Sequence, residues 1–356
     1  MESIRSKIKD KFSIESTNLF KLYVFQLGER GQGLLFTAHH LLVDGISWKI
    51  ILEDFITGIH QFQNNERIIF PKKTTSFKSW SESLYEYSKK ELEKETEHWR
   101  RLEDGRVDNT IAPKEVEDTL KTSNTIYSDF HTVAIEELTK TAKENYEMKF
   151  DEALIAALVI ALNKWNNSKD ITIELERHGR EALDKTTDVS RTVGWFTSMY
   201  PAHLKVISKD MASNFLSIRE QLRNIPNKGF NYSIIKYLKG ELKHSEDSLV
   251  RFNYLGDFDN ILKDKSLGTL NIQCGLDTDE NNRLTSKLDI TAMIVNKNLR
   301  IGITYGKNKF KESIIENFID IYRKVLEEYL GTSHIENNNE INHSVADLVA
   351  ASQLEQ

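Results

Sequence analysis

The chain has 356 residues, 39% of them hydrophobic, enough to bury a sizeable core and too many for most single cores, so two domains or one two-lobed unit is expected. Lys plus Arg number 48 against 54 Asp plus Glu, and the formal net charge of -6 argues against a general nucleic-acid binder, which would carry a basic excess. The lone Cys274 excludes an internal disulfide framework and reads as a small buried side chain in a reducing compartment. The polar start MESIRSKIKDKFSIES is unlike a secretion signal, and the longest apolar run, Ala153 to Leu162, is too short to span a bilayer, so a soluble cytoplasmic protein with no membrane partner is expected.

In chain order, FKLYVFQL and GLLFTAHH read as two strands joined by the glycine-flanked turn GERGQ. After Asp44 and Gly45, apolar residues at Trp48, Ile51, Leu52, Phe55, Ile56, Ile59 and Phe62 keep helical spacing and predict a helix with one buried face. A second helical region follows TTSFKSW and runs into the charged, solvated KKELEKETEHWRRLED. The polar stretch 105–123, with Pro113 and no clear periodicity, is expected to link a first lobe, 1–104, to a second, 124–330. In that second part SDFHTVAI reads as a strand, EELTKTAKENY as a helix, DEALIAALVIALNKW as a buried helix and DITIELE as a strand ending in RHGRE. LVRFNYLG, TLNIQ, SKLDITAMIV and LRIGITYG read as further strands, and FKESIIENFIDIYRKVLEEYL as a closing amphipathic helix. The Asn-rich tail 331–356 is expected to be a linker with at most a short helix, and no internal repeat is present.

The chemically suggestive feature is the pair His39 and His40 at the end of the second strand, just ahead of Asp44 and Gly45. Successive side chains on an extended backbone point to opposite faces, so the two rings are poorly placed to chelate one metal. One should be buried while the other faces a cleft, and an imidazole at a strand end can move protons near neutral pH. From spacing alone a satisfied structural histidine is the better reading. Asp44 reads equally as a turn residue or helix cap, and Gly45 as a place where a side chain would not fit.

HHLLVDG, His39 to Gly45, resembles the HHxxxDG motif of the condensation superfamily of nonribosomal peptide synthetases, related in fold to chloramphenicol acetyltransferase. That motif alone covers condensation, cyclisation, epimerization and stand-alone acyltransferase members. HHLLVDGISW, TTSFKSW, LERHGRE, RTVGWFTSMYP, IPNKGFNYSIIKYL and FNYLGDF together, in this order, resemble the epimerization-domain series and extend the likeness from about Phe20 to Leu330. The resemblance implies a two-lobed α/β sandwich of the acetyltransferase type, with a V-shaped cleft between the lobes. It also implies inversion, L to D, of the α-carbon of an aminoacyl or peptidyl residue. That residue would arrive as a thioester on the 4'-phosphopantetheine arm of a peptidyl carrier protein, with other synthetase modules as partners and no metal or cofactor bound by the domain itself.

Carried over residue by residue, the resemblance implies that His40 and Glu176 are the catalytic pair, entering the cleft from opposite lobes to take a proton from one face of Cα and return it to the other. His39, Asp44, Gly45 and Arg180 would be structural. His178, Arg180 and Glu181 would orient Glu176, while Tyr200 and Asn231 would line the substrate site. Two departures bear on this. Arg177 stands where the family has glycine, and strand alternation turns it away from Glu176. Only 38 residues precede the His pair, so the first lobe is expected to be incomplete, with the arginine that pairs with Asp44 lying in the missing part. A condensing acyltransferase and a carrier-binding fragment without activity are the alternatives; LERHGRE and FNYLGDF speak against the first.

Overall fold

The structure is a computed structural model and describes residues 13–15, 18–90, 92–105, 117–130, 132–242, 248–257 and 278–330. Cys274, the expected strand TLNIQ and the tail 331–356 lie outside the described residues. At the start, β1 (Phe20–Gln26) and β2 (Gln32–Ala38) form an antiparallel hairpin. Its turn carries Gly28 and Gly31 at φ 67° and 80°, backbone positions that glycine occupies without steric cost. Asp44 then caps α1 (Gly45–Gln63) by accepting the Ser47 N–H at 2.7 Å. Burial along α1 differs from the sequence expectation. Only Ser47 and Ile50 are buried, and Phe62 is 72% exposed, because the two-stranded hairpin covers a short part of the helix.

Two short helices follow where one long region was expected, α2 (Phe77–Ser88) and α3 (Glu93–Asp104). Trp80 of α2 packs with Val189, Phe196, Phe230 and Ile234, and Trp99 of α3 is wholly buried in the large core, so both helices anchor on the later part of the chain.

The centre of the molecule is a six-stranded sheet in the order β3-β8-β7-β6-β4-β5, built from β3 (Ser123–Phe130), β4 (Asp170–Arg177), β5 (Ser198–Lys205), β6 (Ser248–Asp257), β7 (Ser286–Val295) and β8 (Asn298–Gly306). The pairs β4–β6 and β6–β7 are parallel and the others antiparallel. One face is covered by α4 (Thr132–Tyr146), α5 (Phe150–Asn166), α6 (Met211–Arg223) and α8 (Glu312–Leu330), with a four-residue turn, α7 (Phe230–Ser233), beside β5. Helix α5 is buried continuously from Ala153 to Leu162, which is what a helix apolar on all sides must do. Ile173, Leu175, Phe252, Leu288, Ile290, Ile301 and Ile303 point into this helix-side core. By strand alternation, the residues between them face the other way, and these include Glu174, Glu176, Arg251, Asn253 and Asp289. The molecule is thus a mixed α/β fold, with one polar sheet face aimed away from the helices.

Several elements differ from the sequence expectation. The strand expected at SDFHTVAI ends at Phe130, and Thr132 already begins α4. Strand β5 was not expected because Pro201 interrupts it; proline is tolerated there since β5 is an edge strand. Helix α6 was also missed, although Asp210 accepts the Ser213 N–H at 2.8 Å as its cap and Phe215 and Ile218 are wholly buried at helical spacing. Within the expected linker, Asp118 is buried and Thr119 bridges to Arg283, so residues 117–122 are docked against the segment 280–284. Among the described residues no helix is long and apolar enough to cross a membrane.

Candidate active site

The His pair sits where β2 gives way to a short 3-10 turn, His40–Leu42. Strand alternation therefore stops at Ala38, and both rings are partly buried rather than one in and one out. His39 Nδ1 accepts the Leu41 N–H at 3.2 Å, which holds that ring on its own turn. The His40 ring lies 4.8 Å from the ring of Trp195. His40 Nδ1 and Trp195 Nε1 are both shielded from solvent and have no hydrogen-bond partner among the described residues.

The turn is held from beneath. Asp44 Oδ1 accepts from Arg180 Nη2 at 2.8 Å, and Asp44 Oδ2 accepts the Phe196 N–H at 3.2 Å. Arg180 also donates to the carbonyls of Val189 and Thr192 and to Ser47 Oγ, and lies 4.2 Å over the Phe196 ring. Ser47 Oγ bonds both the N–H and the carbonyl of Gly194. Asp44 is therefore helix cap and ion-pair partner at once. Its arginine comes from within the chain, on the segment after β4, and not from upstream as expected. Arg180 accordingly braces the histidine turn rather than Glu176. Gly45 opens α1 and is exposed.

The segment from 188 to 196 ties the two parts together. Thr192 bonds Thr74 Oγ1 and the Thr75 carbonyl, and Arg191 pairs with Glu53 and Asp54 of α1. A Cβ on Gly194 would come within 2.2 Å of the Phe77 ring, so this close crossing requires glycine. The stretches HHLLVDG, TTSFKSW, LERHGRE and RTVGWF, scattered over the chain, meet at this one crossing.

Glu176 lies at the end of β4, on the polar face of the sheet. Its Oε2 accepts from Asn253 Nδ2 on β6, a residue of the FNYLGDF stretch to which the sequence alone assigns no role. Burial, then the charge of Asp289, push the Glu176 carboxyl up to about 8, with Arg251 opposing and Glu174 adding to the rise. Arg177 turns away, as alternation predicts: it donates to the Lys228 carbonyl and pairs with Glu181 at 3.1 Å. His178 Nδ1 accepts the Arg180 N–H. Gly179, at φ 58°, makes the turn between Glu176 and Arg180; a Cβ there would fall 1.6 Å from the Phe196 carbonyl oxygen.

Tyr200 is paired with Leu175 and shares its face, opposite to that of Glu176. Its ring packs in the helix-side core against Trp99 and the α-carbon of Gly229, and burial pushes its hydroxyl up to about 12. Asn231, on α7, is wholly buried and donates to Glu95 of α3 at 3.0 Å. The structure brings neither residue into contact with Glu176 or His40. Among the described residues no three His, Cys, Asp or Glu side chains converge in a way that could hold a metal ion.

A site with these parts has recognisable relatives. The family model described as the condensation domain matches residues 1–341. Tyrocidine synthase 1 of Brevibacillus parabrevis is 33% identical over 92% of this chain, which spans 31% of that protein's length. Bacitracin synthase 2 of Bacillus licheniformis is 31% identical over 97% of this chain, which spans 13% of that protein's length. The crystal structure of the epimerization domain from the third module of tyrocidine synthetase B is 30% identical, with a TM-score of 0.84 over 93% of this chain and 76% of that one. The first condensation domain of the calcium-dependent antibiotic synthetase, at 12% identity and a TM-score of 0.64 over 94% of this chain and 73% of that one, shares the fold alone.

Proposed function

Since the chain belongs to the condensation-domain family, we propose that within it this protein inverts the α-carbon of an aminoacyl or peptidyl thioester delivered on the phosphopantetheine arm of a peptidyl carrier protein. The observation that carries this reading is the carboxyl of Glu176, set on the polar sheet face, held by Asn253 and pushed up to about 8. A carboxyl of that proton affinity can donate or accept near neutrality without a large penalty, as an exchange at Cα requires. The 30% identity to an epimerization domain, against 12% to a condensation domain, supports the same choice.

In this reading Glu176 and His40 work from opposite sides of the substrate. One removes the α-proton, the other returns a proton to the opposite face, and the negative charge of the enolate-like intermediate rests on the thioester oxygen meanwhile. Asp44 and Arg180 act by fixing the turn that carries His40. Asn253 fixes the carboxyl. No cofactor takes part, and the carrier and neighbouring synthetase modules are the partners.

The test is to present an L-aminoacyl carrier thioester to the chain and measure the D fraction after hydrolysis. A rise towards an L/D mixture, lost in Glu176→Gln, is expected. A peptide bond formed with an added acceptor, without inversion, would identify a condensing acyltransferase instead.

A further inference from the structure

Three neighbouring strands carry charged residues in register on the polar sheet face. Glu174 of β4 stands opposite Arg251 of β6, and Arg251 stands opposite Asp289 of β7. Arg251 donates to Glu174 Oε2 through Nε at 3.2 Å and Nη2 at 3.1 Å, and its Nη1 lies 3.6 Å from Asp289 Oδ2. All three are well buried, with side chains 14%, 4% and 10% exposed. Two residues further along β4 and β6, on the same face, stand Glu176 and its partner Asn253. This stretch of β4, β6 and β7 thus brings together three carboxyls, one guanidinium and one amide.

We propose that Glu174, Arg251 and Asp289 are positioning residues for Glu176: the single guanidinium is committed to the first and third carboxyls, so Glu176 is left with a neutral amide and must carry a proton to remain where it is. This inference rests on the reading of Glu176 as the proton-handling carboxyl. The charged groups around Glu176 act in both directions. Asp289 and Glu174 raise its proton affinity and Arg251 lowers it, while burial raises Asp289 itself. Tyr237, from outside the sheet, interacts with Glu174 and Arg251 and is itself raised by burial. Buried ion pairs seldom add much stability over apolar packing of the same volume, so a row of this kind is better explained by what it does to its neighbour.

The experiment follows the Glu176 side-chain carboxyl by carbon NMR in the full chain labelled at glutamate, with the resonance assigned by its loss in Glu176→Gln. The parent is expected to titrate near pH 8. Asp289→Asn and Glu174→Gln, each close in shape to the parent residue, should each lower that midpoint, the first by more than the second, and Arg251→Gln should raise it. Arg251→Lys should restore the parental direction. Should the Arg251 variants fail to give a folded amide spectrum, the two carboxyl variants decide the matter. Should those fail too, the parent curve alone decides it, because a Glu176 midpoint in the ordinary carboxylate range overturns the proposal outright. Midpoints equal to the parental one in both carboxyl variants would also overturn it. These readouts need no turnover. Failure of epimerization with the shifts intact would therefore count against the proposed activity and leave the electrostatic role standing.

Discussion

Asp44 and Arg180 lie 136 residues apart in sequence and meet at 2.8 Å, with side chains only 4% and 5% exposed. The pair joins the turn carrying His40 to the turn that follows β4, so one interaction ties two distant segments of the chain together. Removing one member strands the other as a buried, unpaired charge. Asp44→Ala or Arg180→Ala should each cost about 3–5 kcal/mol of stability in chemical denaturation. The double variant should cost clearly less than the sum of the two, and that shortfall is the measurement that checks the coupling.

The raised proton affinity of Glu176 makes stability depend on pH in a defined direction. The group binds its proton more tightly folded than unfolded, so its contribution is whole below about 4.5 and is lost as pH rises through about 8. Each unit in that window corresponds to ~1.4 kcal/mol. Glu176→Gln should therefore lose this part of the pH dependence, and at pH 9 it should resist urea better than the parent. Parallel stability curves for parent and variant across pH 5 to 9 would contradict the assignment.

Isotope exchange separates the two proposed proton carriers. In deuterated buffer, Glu176→Gln should wash deuterium into only one of the L- and D-thioesters without inverting it. His40→Ala should show the opposite preference or none. Loss of exchange from both isomers in Glu176→Gln would favour a single-base mechanism centred on that carboxyl.

Gly179 and Gly194 leave no room for a methyl group. At Gly179 the obstacle is the Phe196 backbone carbonyl and the φ is 58°, whereas at Gly194 it is the side chain of Phe77. Gly179→Ala should therefore lose more than the ~0.5–3 kcal/mol typical of point substitutions. Phe77→Ala should partly rescue Gly194→Ala and leave Gly179→Ala unrescued, as thermal melts of the single and paired variants would show.

Much of this architecture was legible in residue order. The hairpin, α1, α5, β4, β7, β8 and α8 follow from period and turn residues alone, because those signals are written locally. Pro201 hid β5, since its tolerance depends on β5 being at the edge, a fact of topology. The partner of Asp44 was sought upstream although Arg180 was already in view, because pairing between turns so far apart leaves no local trace. The row Glu174, Arg251 and Asp289 was missed for the same reason: it exists only once β4, β6 and β7 lie side by side.

Strand β4 pairs with β6 in parallel at Glu174–Arg251 and Leu175–Phe252, contacts that close a loop of more than seventy residues. Closing such a loop spends chain entropy before it returns any contact, and parallel pairings between distant segments are correspondingly slow to form. The helices around α5 draw on local contacts and can gather early. The seam beside Glu176 must wait for β5, α6 and α7 to be laid down and folded back. In a chain emerging from the ribosome, Asn253 is made well after Glu176, so the carboxyl passes through synthesis unescorted, and its proton affinity shifts only when the last strands arrive.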